Sequence, residues 1–136
     1  MAFAIKIAID DPDADQFSFD TVKTMYGGKA VAKGDLVFVF ASENEGGQGL
    51  IASAIVLSAE AIPRRPDFAR QTPCVSLRLE RIARAKRPLG RNALKTFRDW
   101  DDGQPETELN FKLYRQATNK LIGLSDETAT FLERHF

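Results

Sequence analysis

The chain has 136 residues, enough for one apolar core and little more, so a single domain over residues 1–136 is expected. With 43% hydrophobic and 28% charged residues it is too apolar for a disordered segment. Nineteen basic and nineteen acidic side chains cancel, which excludes a uniformly basic nucleic-acid binder and makes any such role depend on where the charges sit.

Phe3 to Ile9 alternates with period two and predicts a first strand, ended by Asp10-Asp11-Pro12. That segment is too short to span a bilayer and is followed by acids instead of a small-residue cleavage site, so neither a membrane anchor nor a targeting signal is expected. Phe19, Val22, Met25 and Tyr26 fall on one helical face, with Gly27-Gly28 to end it, which predicts a helix. Gly34-Asp35 opens the run Leu36 to Phe40, whose unbroken apolar character predicts a strand buried on both faces. Leu50 to Leu57 is expected as its antiparallel neighbour. The polar, glycine-rich link from Ala41 to Gly49 is longer than a tight hairpin needs and reads as a binding loop or as a plain connector.

From Val75 the period-two pattern returns with Leu77, Leu79, Ala83 and Ala85, and Ile82 stands out of phase, the mark of a bulge that bends a strand toward barrel closure. Pro88-Leu89-Gly90 ends it. Arg91 to Trp100 predicts a short helix, and Asp101 to Pro105 breaks the chain. Leu109, Leu113, Tyr114 and Ala117 fit a helix, although Leu109, Phe111 and Leu113 also fit a strand; helix is the reading adopted. Asn119 to Leu124 predicts a closing strand, and Ser125 caps a last helix that buries Ala129, Leu132 and Phe136. Strands that outnumber their helical crossovers point to an α+β fold, a small, mostly antiparallel barrel with short flanking helices.

The charges are arranged in blocks. Residues 10–20 and 99–108 each hold five acids and no base, whereas residues 64–98 hold eleven bases against two acids, a net of +9. That central block is either a phosphate-attracting track or the partner of the flanking acids. The lone cysteine, Cys74, reads as a small buried residue of a reduced, cytoplasmic protein, and with one histidine, His135, the chain lacks the usual zinc ligands. No metal or cofactor is expected. Gly46-Gly47-Gln48-Gly49 lacks the Lys-Ser/Thr of a phosphate-cradling loop and precedes a strand instead of a helix, which excludes a nucleotide-hydrolase motif.

Lys33-Gly34-Asp35-Leu-Val-Phe-Val-Phe-Ala-Ser42, Gly49 to Val56, and Leu113-Tyr-Arg-Gln-Ala-Thr-Asn-Lys-Leu-Ile-Gly-Leu-Ser125 together resemble the EVE-type domains of the PUA-like superfamily, which are related to ASCH domains. The resemblance covers most of the chain from Lys33 onward. The tryptophan-containing stretch usual near the start of EVE domains has no counterpart here, where Phe17 to Tyr26 stands instead. It implies a barrel that holds a nucleobase or modified nucleotide of DNA or RNA in a pocket at its mouth, without catalysis. Ser42, Arg115 and Gln116 are the positions that match the family's polar residues.

A base pocket needs an aromatic face, groups to read an edge, and cations for phosphate. Tyr26, Trp100 and Tyr114 are candidates to stack; Ser42, Glu43, Asn44, Gln116 and Asn119 to read an edge or line the pocket; Lys29 and Arg115 to meet phosphate within it. Arg64, Arg65, Arg84 and Lys86 are candidate backbone contacts. For Trp100 and Tyr114 the competing reading is a core anchor, and for Arg64-Arg65 a solvated turn. Two alternatives stand beside binding. One is an ASCH-like, metal-independent hydrolase of a modified nucleoside using Lys29, Glu43 and Thr118; the other is a protein-interaction module without a pocket. A buried lysine beside Glu43 would favour catalysis.

Overall fold

The computed structural model describes residues 1–67 and 71–136; Arg70 of the basic block lies outside the described residues. Six strands, β1 (Ala2–Ile7), β2 (Gln16–Met25), β3 (Leu36–Ala41), β4 (Gly49–Ala61), β5 (Cys74–Arg84) and β6 (Lys120–Gly123), close into a barrel in the order β1-β3-β4-β5-β2-β6. The β1–β3 and β2–β6 pairs are parallel and the other four antiparallel, so the barrel is mixed with an antiparallel majority. Among the described residues, no helix is long and apolar enough to cross a membrane.

Alternation along the strands creates two cores. Phe3 and Ile5 of β1, Val37 and Val39 of β3, and Leu77 and Leu79 of β5 fill the barrel. Ala4, Phe38, Phe40 and Ile122 face outward and are covered by Leu94, Leu109, Leu113 and Leu132 from the helices. The unbroken apolar run of β3 is explained by this two-sided burial. The covering elements are α1 (Arg91–Leu94), α2 (Pro105–Leu109), a π-turn continuing from it over Asn110–Tyr114, and α3 (Asp126–Glu133).

The helix expected over Phe19 to Tyr26 is instead the second half of β2. Phe17 and Phe19 keep period two against β5, and the register then shifts between Phe19 and Val22. That irregularity moves Val22 and Thr24 into the inward phase and imitates a helical spacing. Tyr26 (φ 50°) and Gly27 (φ 85°) then turn the chain out of the strand. At Ile82 the bulge read from the sequence is present: Ala83 pairs with Ser53 and Arg81 with Ala54, leaving Ile82 unpaired and 59% exposed.

The helix expected over Arg91 to Trp100 stops at Leu94. Beyond it Asp99 and Asp102 accept hydrogen bonds from the backbone N–H groups of Asp101 (3.4 Å) and Gln104 (2.9 Å), local turns that compete with helix. The next helix begins at Pro105, whose missing N–H costs nothing at a first helical position, and Ala117 lies beyond its end. Cys74 is half-buried, at the outer end of β5, and not a core residue.

One carboxylate ties the helices together. Glu108 accepts from the Ser125 N–H (2.9 Å), the Ser125 hydroxyl (2.6 Å), the Thr128 hydroxyl (2.9 Å) and the Lys112 ammonium (3.1 Å). Burial alone would raise its pKa, but these donors hold it below the ordinary value. Glu108→Ala is expected to cost about 1.5–3 kcal/mol, the range for hydrogen bonds to a charged group, as a lower urea midpoint at pH 7. Because the folded pKa is depressed, the difference from wild type should shrink as the pH falls through that lowered value.

Candidate functional site

The π-turn and the segment after β5 enclose an open cleft of about 540 Å³ lined by Arg91, Asn92, Lys95, Arg98, Trp100, Asn110, Tyr114 and Arg115. Four cations, two aromatic rings and two amides line it, and no carboxylate does. Its geometry follows from the short helices. The end of α1 at Leu94 lets Lys95 and Arg98 turn over the cleft, with Arg98 Nε donating to the Lys95 carbonyl (3.1 Å). Asn110 donates its amide to the Phe97 carbonyl (3.0 Å), fixing the floor. Trp100, 43% exposed, rests edge-on against Phe111 (5.3 Å between ring centres), and the Arg115 guanidinium lies 3.9 Å from the same ring's centre. Arg115 also donates to the Tyr26 hydroxyl (3.3 Å).

The loop after β3 forms the adjoining wall. The Glu43 carboxylate accepts from the Tyr114 hydroxyl (3.1 Å) and from the Arg91 backbone N–H (2.7 Å), while Arg91 donates to the Asn44 side chain (2.9 Å). A Cβ at position 90 would stand 2.7 Å from the Glu43 carboxylate, so glycine there lets that carboxylate keep its place. Gly49 combines φ 86° with a Cβ position 2.7 Å from Gly90 Cα, so glycine is needed at 49 for the two loops to touch. Asn119 bridges the same wall to Glu45 (3.3 Å). Burial first, and then the Glu43 charge, push the Tyr114 phenol far above its ordinary value, so it stays a neutral donor.

Behind Tyr114 lie two lysines that sequence reasoning passed over. Lys6 and Lys120 pair directly across β1 and β6 on the helix-covered face, and only 2% and 1% of them is exposed. Both ammonium groups donate to the Gln116 carbonyl, at 3.4 Å from Lys6 and 3.2 Å from Lys120; Lys6 also reaches the Ala117 carbonyl (3.5 Å) and lies 5.2 Å from the centre of the Tyr114 ring. Burial, then Lys6, then Arg115 push Lys120 down to about 8. Burial also lowers Lys6, opposed by Glu43. The period-two pattern of β1 assigns Lys6 to the face opposite Phe3 and Ile5; only the helical cover turns that face into an interior.

Of the residues expected from sequence, Trp100, Tyr114 and Arg115 converge in the cleft, and Tyr26, Glu43, Asn44 and Asn119 support it through the bonds just described. Ser42 is 1% exposed and its hydroxyl has no partner among the described residues. Gln116 is exposed and contributes its carbonyl to the lysine pair. Lys29 lines a different cleft, with Thr24 and Pro73, so the expected Lys29–Glu43–Thr118 grouping is replaced by Lys6 as the lysine electrostatically coupled to Glu43. The four expected phosphate contacts do not share a patch: Arg64 and Arg65 follow β4 at one end of the β4–β5 hairpin, and Arg84 and Lys86 stand at the other, on the order of 30 Å along the strand. Arg84 is ion-paired with Asp13, and Arg81 with Asp15 (2.8 Å), so part of the basic block does pair with the first acid block. The cleft cations Arg91, Lys95 and Arg98 are exposed, as is Arg115 from outside that block. Among the described residues, no cluster of His, Cys, Asp or Glu is arranged to hold a metal ion.

No family model matches the chain, and no curated protein matches it. Solved structures do. The DUF55 domain of human thymocyte nuclear protein 1, an EVE-type, PUA-like domain, superposes with a TM-score of 0.65 at 15% identity over 99% of this chain and 98% of that one. Human THYN1 protein in complex with 5-methylcytosine-containing DNA gives 0.64 at 15% identity over 98% and 96%. A protein of Rhodopseudomonas palustris gives 0.60 at 18% identity over 98% and 91%. The chain therefore shares the fold of these proteins, a small α+β barrel of the PUA-like kind that the sequence resemblance implied.

Lys120 loses its proton in the folded protein near pH 8 and in the unfolded chain near 10.5, so the unfolded state holds more protons between these values. Wild-type stability is expected to rise from pH 8 toward pH 10, measured as the urea midpoint. In Lys120→Met the rise should be reduced, the remainder belonging to Lys6, and the variant should be more stable than wild type at pH 7.

Proposed function

We propose that the chain is a nucleic-acid-binding domain that holds a base, with modified cytosine in DNA the first ligand to test, in the cleft between Trp100 and Tyr114. The observation that carries this reading is the composition of the cleft, four cations and two aromatic rings with no lining carboxylate. Trp100 offers an exposed ring for stacking, which is worth about 1–3 kcal/mol per base. Asn92 and the Asn110 amide oxygen read an edge of the base. Arg91, Lys95, Arg98 and Arg115 meet the phosphates that flank it, and charge neutralisation there makes affinity fall with salt. The neutral net charge of the chain is no obstacle, because phosphate senses the local field of the cleft. The THYN1 complex with 5-methylcytosine-containing DNA supports a shared use of this fold.

A second reading is favoured by one observation, the buried Lys6 near Glu43. An amine with a lowered pKa is a general base or nucleophile in principle. Product release from modified nucleosides by wild type, lost in Lys6→Gln, would replace the binding reading with a hydrolytic one.

Trp100 is the only tryptophan and reports directly on the cleft. Titration with short DNA containing cytosine or 5-methylcytosine should quench its fluorescence saturably. Arg98→Ala and Arg115→Ala should each reduce the slope of log affinity against log salt by about 0.7–0.9, and Arg78→Ala, outside the cleft, should leave it unchanged. Equal slopes in all three variants, or no binding of either oligonucleotide, would contradict the assignment.

A further inference from the structure

We propose that Lys6 and Lys120 form a receptor for a compact oxyanion, a phosphate or a carboxylate carried by the ligand, with the Ser42 hydroxyl as a third donor. The proposal deepens the base-binding reading, on which it rests for the molecule that carries the anion.

Two ammonium groups directly opposite one another in a sheet repel, and burial removes the water that would screen them. Buried charges are normally paired with an opposite charge. Here, among the described residues, neither lysine makes an ion pair. Their hydrogen bonds go to main-chain carbonyls, and both converge on the carbonyl of Gln116, which brings the two nitrogens close together. A converging pair of cations with only neutral acceptors is half of an anion site.

Ser42 supplies an independent observation. It follows the end of β3 in the outward series Phe38, Phe40, two positions past Phe40, which pairs with Lys6, and its hydroxyl is buried without a partner among the described residues. A hydroxyl left unsatisfied costs free energy that an anion accepting from it would recover. Burial lowers the pKa of both lysines; Lys6 and Arg115 lower Lys120 further, whereas Glu43 and Glu45 oppose the shift at Lys6. An oxyanion seated between the ammonium groups would relieve their repulsion and satisfy Ser42 together. The exposed segment Arg115 to Thr118, whose carbonyls now occupy the ammonium groups, is the cover that must shift to admit it.

The test is thermal melting of the full chain in low-millimolar sodium phosphate, sodium acetate and, at matched ionic strength, sodium chloride. A saturable rise of about 4 °C at tenfold over Kd in phosphate or acetate, above chloride, is expected. Phosphate alone acting would assign the group to a nucleotide phosphate, and acetate acting would assign it to a carboxylated base. The rise should be absent in Lys6→Gln and in Lys120→Gln and retained in Arg78→Ala, outside both the cleft and the lysine pair. No rise above chloride, or an equal rise in the glutamine variants, would overturn the proposal. Should a glutamine variant fail to fold, saturable broadening of the phosphate ³¹P line by wild type decides in its favour, and no broadening against it. DNA that binds while neither anion does would leave the base-binding reading intact and sink this one. Anion binding without any DNA binding would do the reverse.

Discussion

Everything in this molecule follows from the burial of the β1–β3–β6 sector on both of its faces. The inner face closes the barrel core around Phe3, Ile5, Val37 and Val39, and the outer face needs a second apolar layer, which the short helices supply through Leu94, Leu109, Leu113 and Leu132. Each buried phenylalanine of β3 contributes several kilocalories of stabilisation by the usual cost of its truncation, about 3–5 kcal/mol. The helices therefore cannot drift from the sheet, and the loops between them are held in fixed positions. Where that apolar cover ends, the same outward positions carry Lys6, Ser42 and Lys120. The proposed anion receptor is the place where two-sided burial continues without apolar side chains to fill it.

The cleft is assembled on this scaffold by a short chain of polar contacts. Tyr114 donates to Glu43, Glu43 accepts from the start of α1, and Arg91 reaches Asn44, so the loop after β3 and the segment after β5 are tied together. The Glu43 and Glu45 carboxylates of this wall are thereby engaged by donors, and the open cleft is left to cations, amides and rings. A surface of that kind attracts polyanions locally even in a chain whose total charge is zero, because screening in physiological salt confines the field to about 8 Å. The ion pairs of Arg81 and Arg84 with the first acid block sharpen the contrast by quenching part of the basic segment elsewhere.

Much of the fold was legible because apolar period and turn residues agree along most of the chain. β1, β3, β4, β5, β6 and the capped α3 follow directly from such signals, and the out-of-phase Ile82 marked its bulge. β2 was misread because the irregularity between Phe19 and Val22 converts a period of two into the spacing of a helix face, and no local signal separates the two. The site was legible in part. Trp100, Tyr114 and Arg115 stood out by residue type, whereas Lys6 and Lys120 did not, since a lysine on the second face of a strand ordinarily meets water. Their burial depends on helices contributed from residues 91–136, a long-range fact that periodicity within one strand does not contain. The phosphate candidates Arg64, Arg65, Arg84 and Lys86 were grouped by sequence charge, and the hairpin separates them.

The most direct measurement is the ¹H–¹⁵N spectrum of the labelled protein during titration with a short 5-methylcytosine-containing DNA. The account expects perturbations that cluster at Arg91 to Arg98, the Trp100 indole, Asn110 and Tyr114 to Arg115, with the outer surface of β4 and β5 around Ile55 and Arg78 silent. Perturbations centred on that outer surface, or no perturbation at saturating DNA, would contradict it.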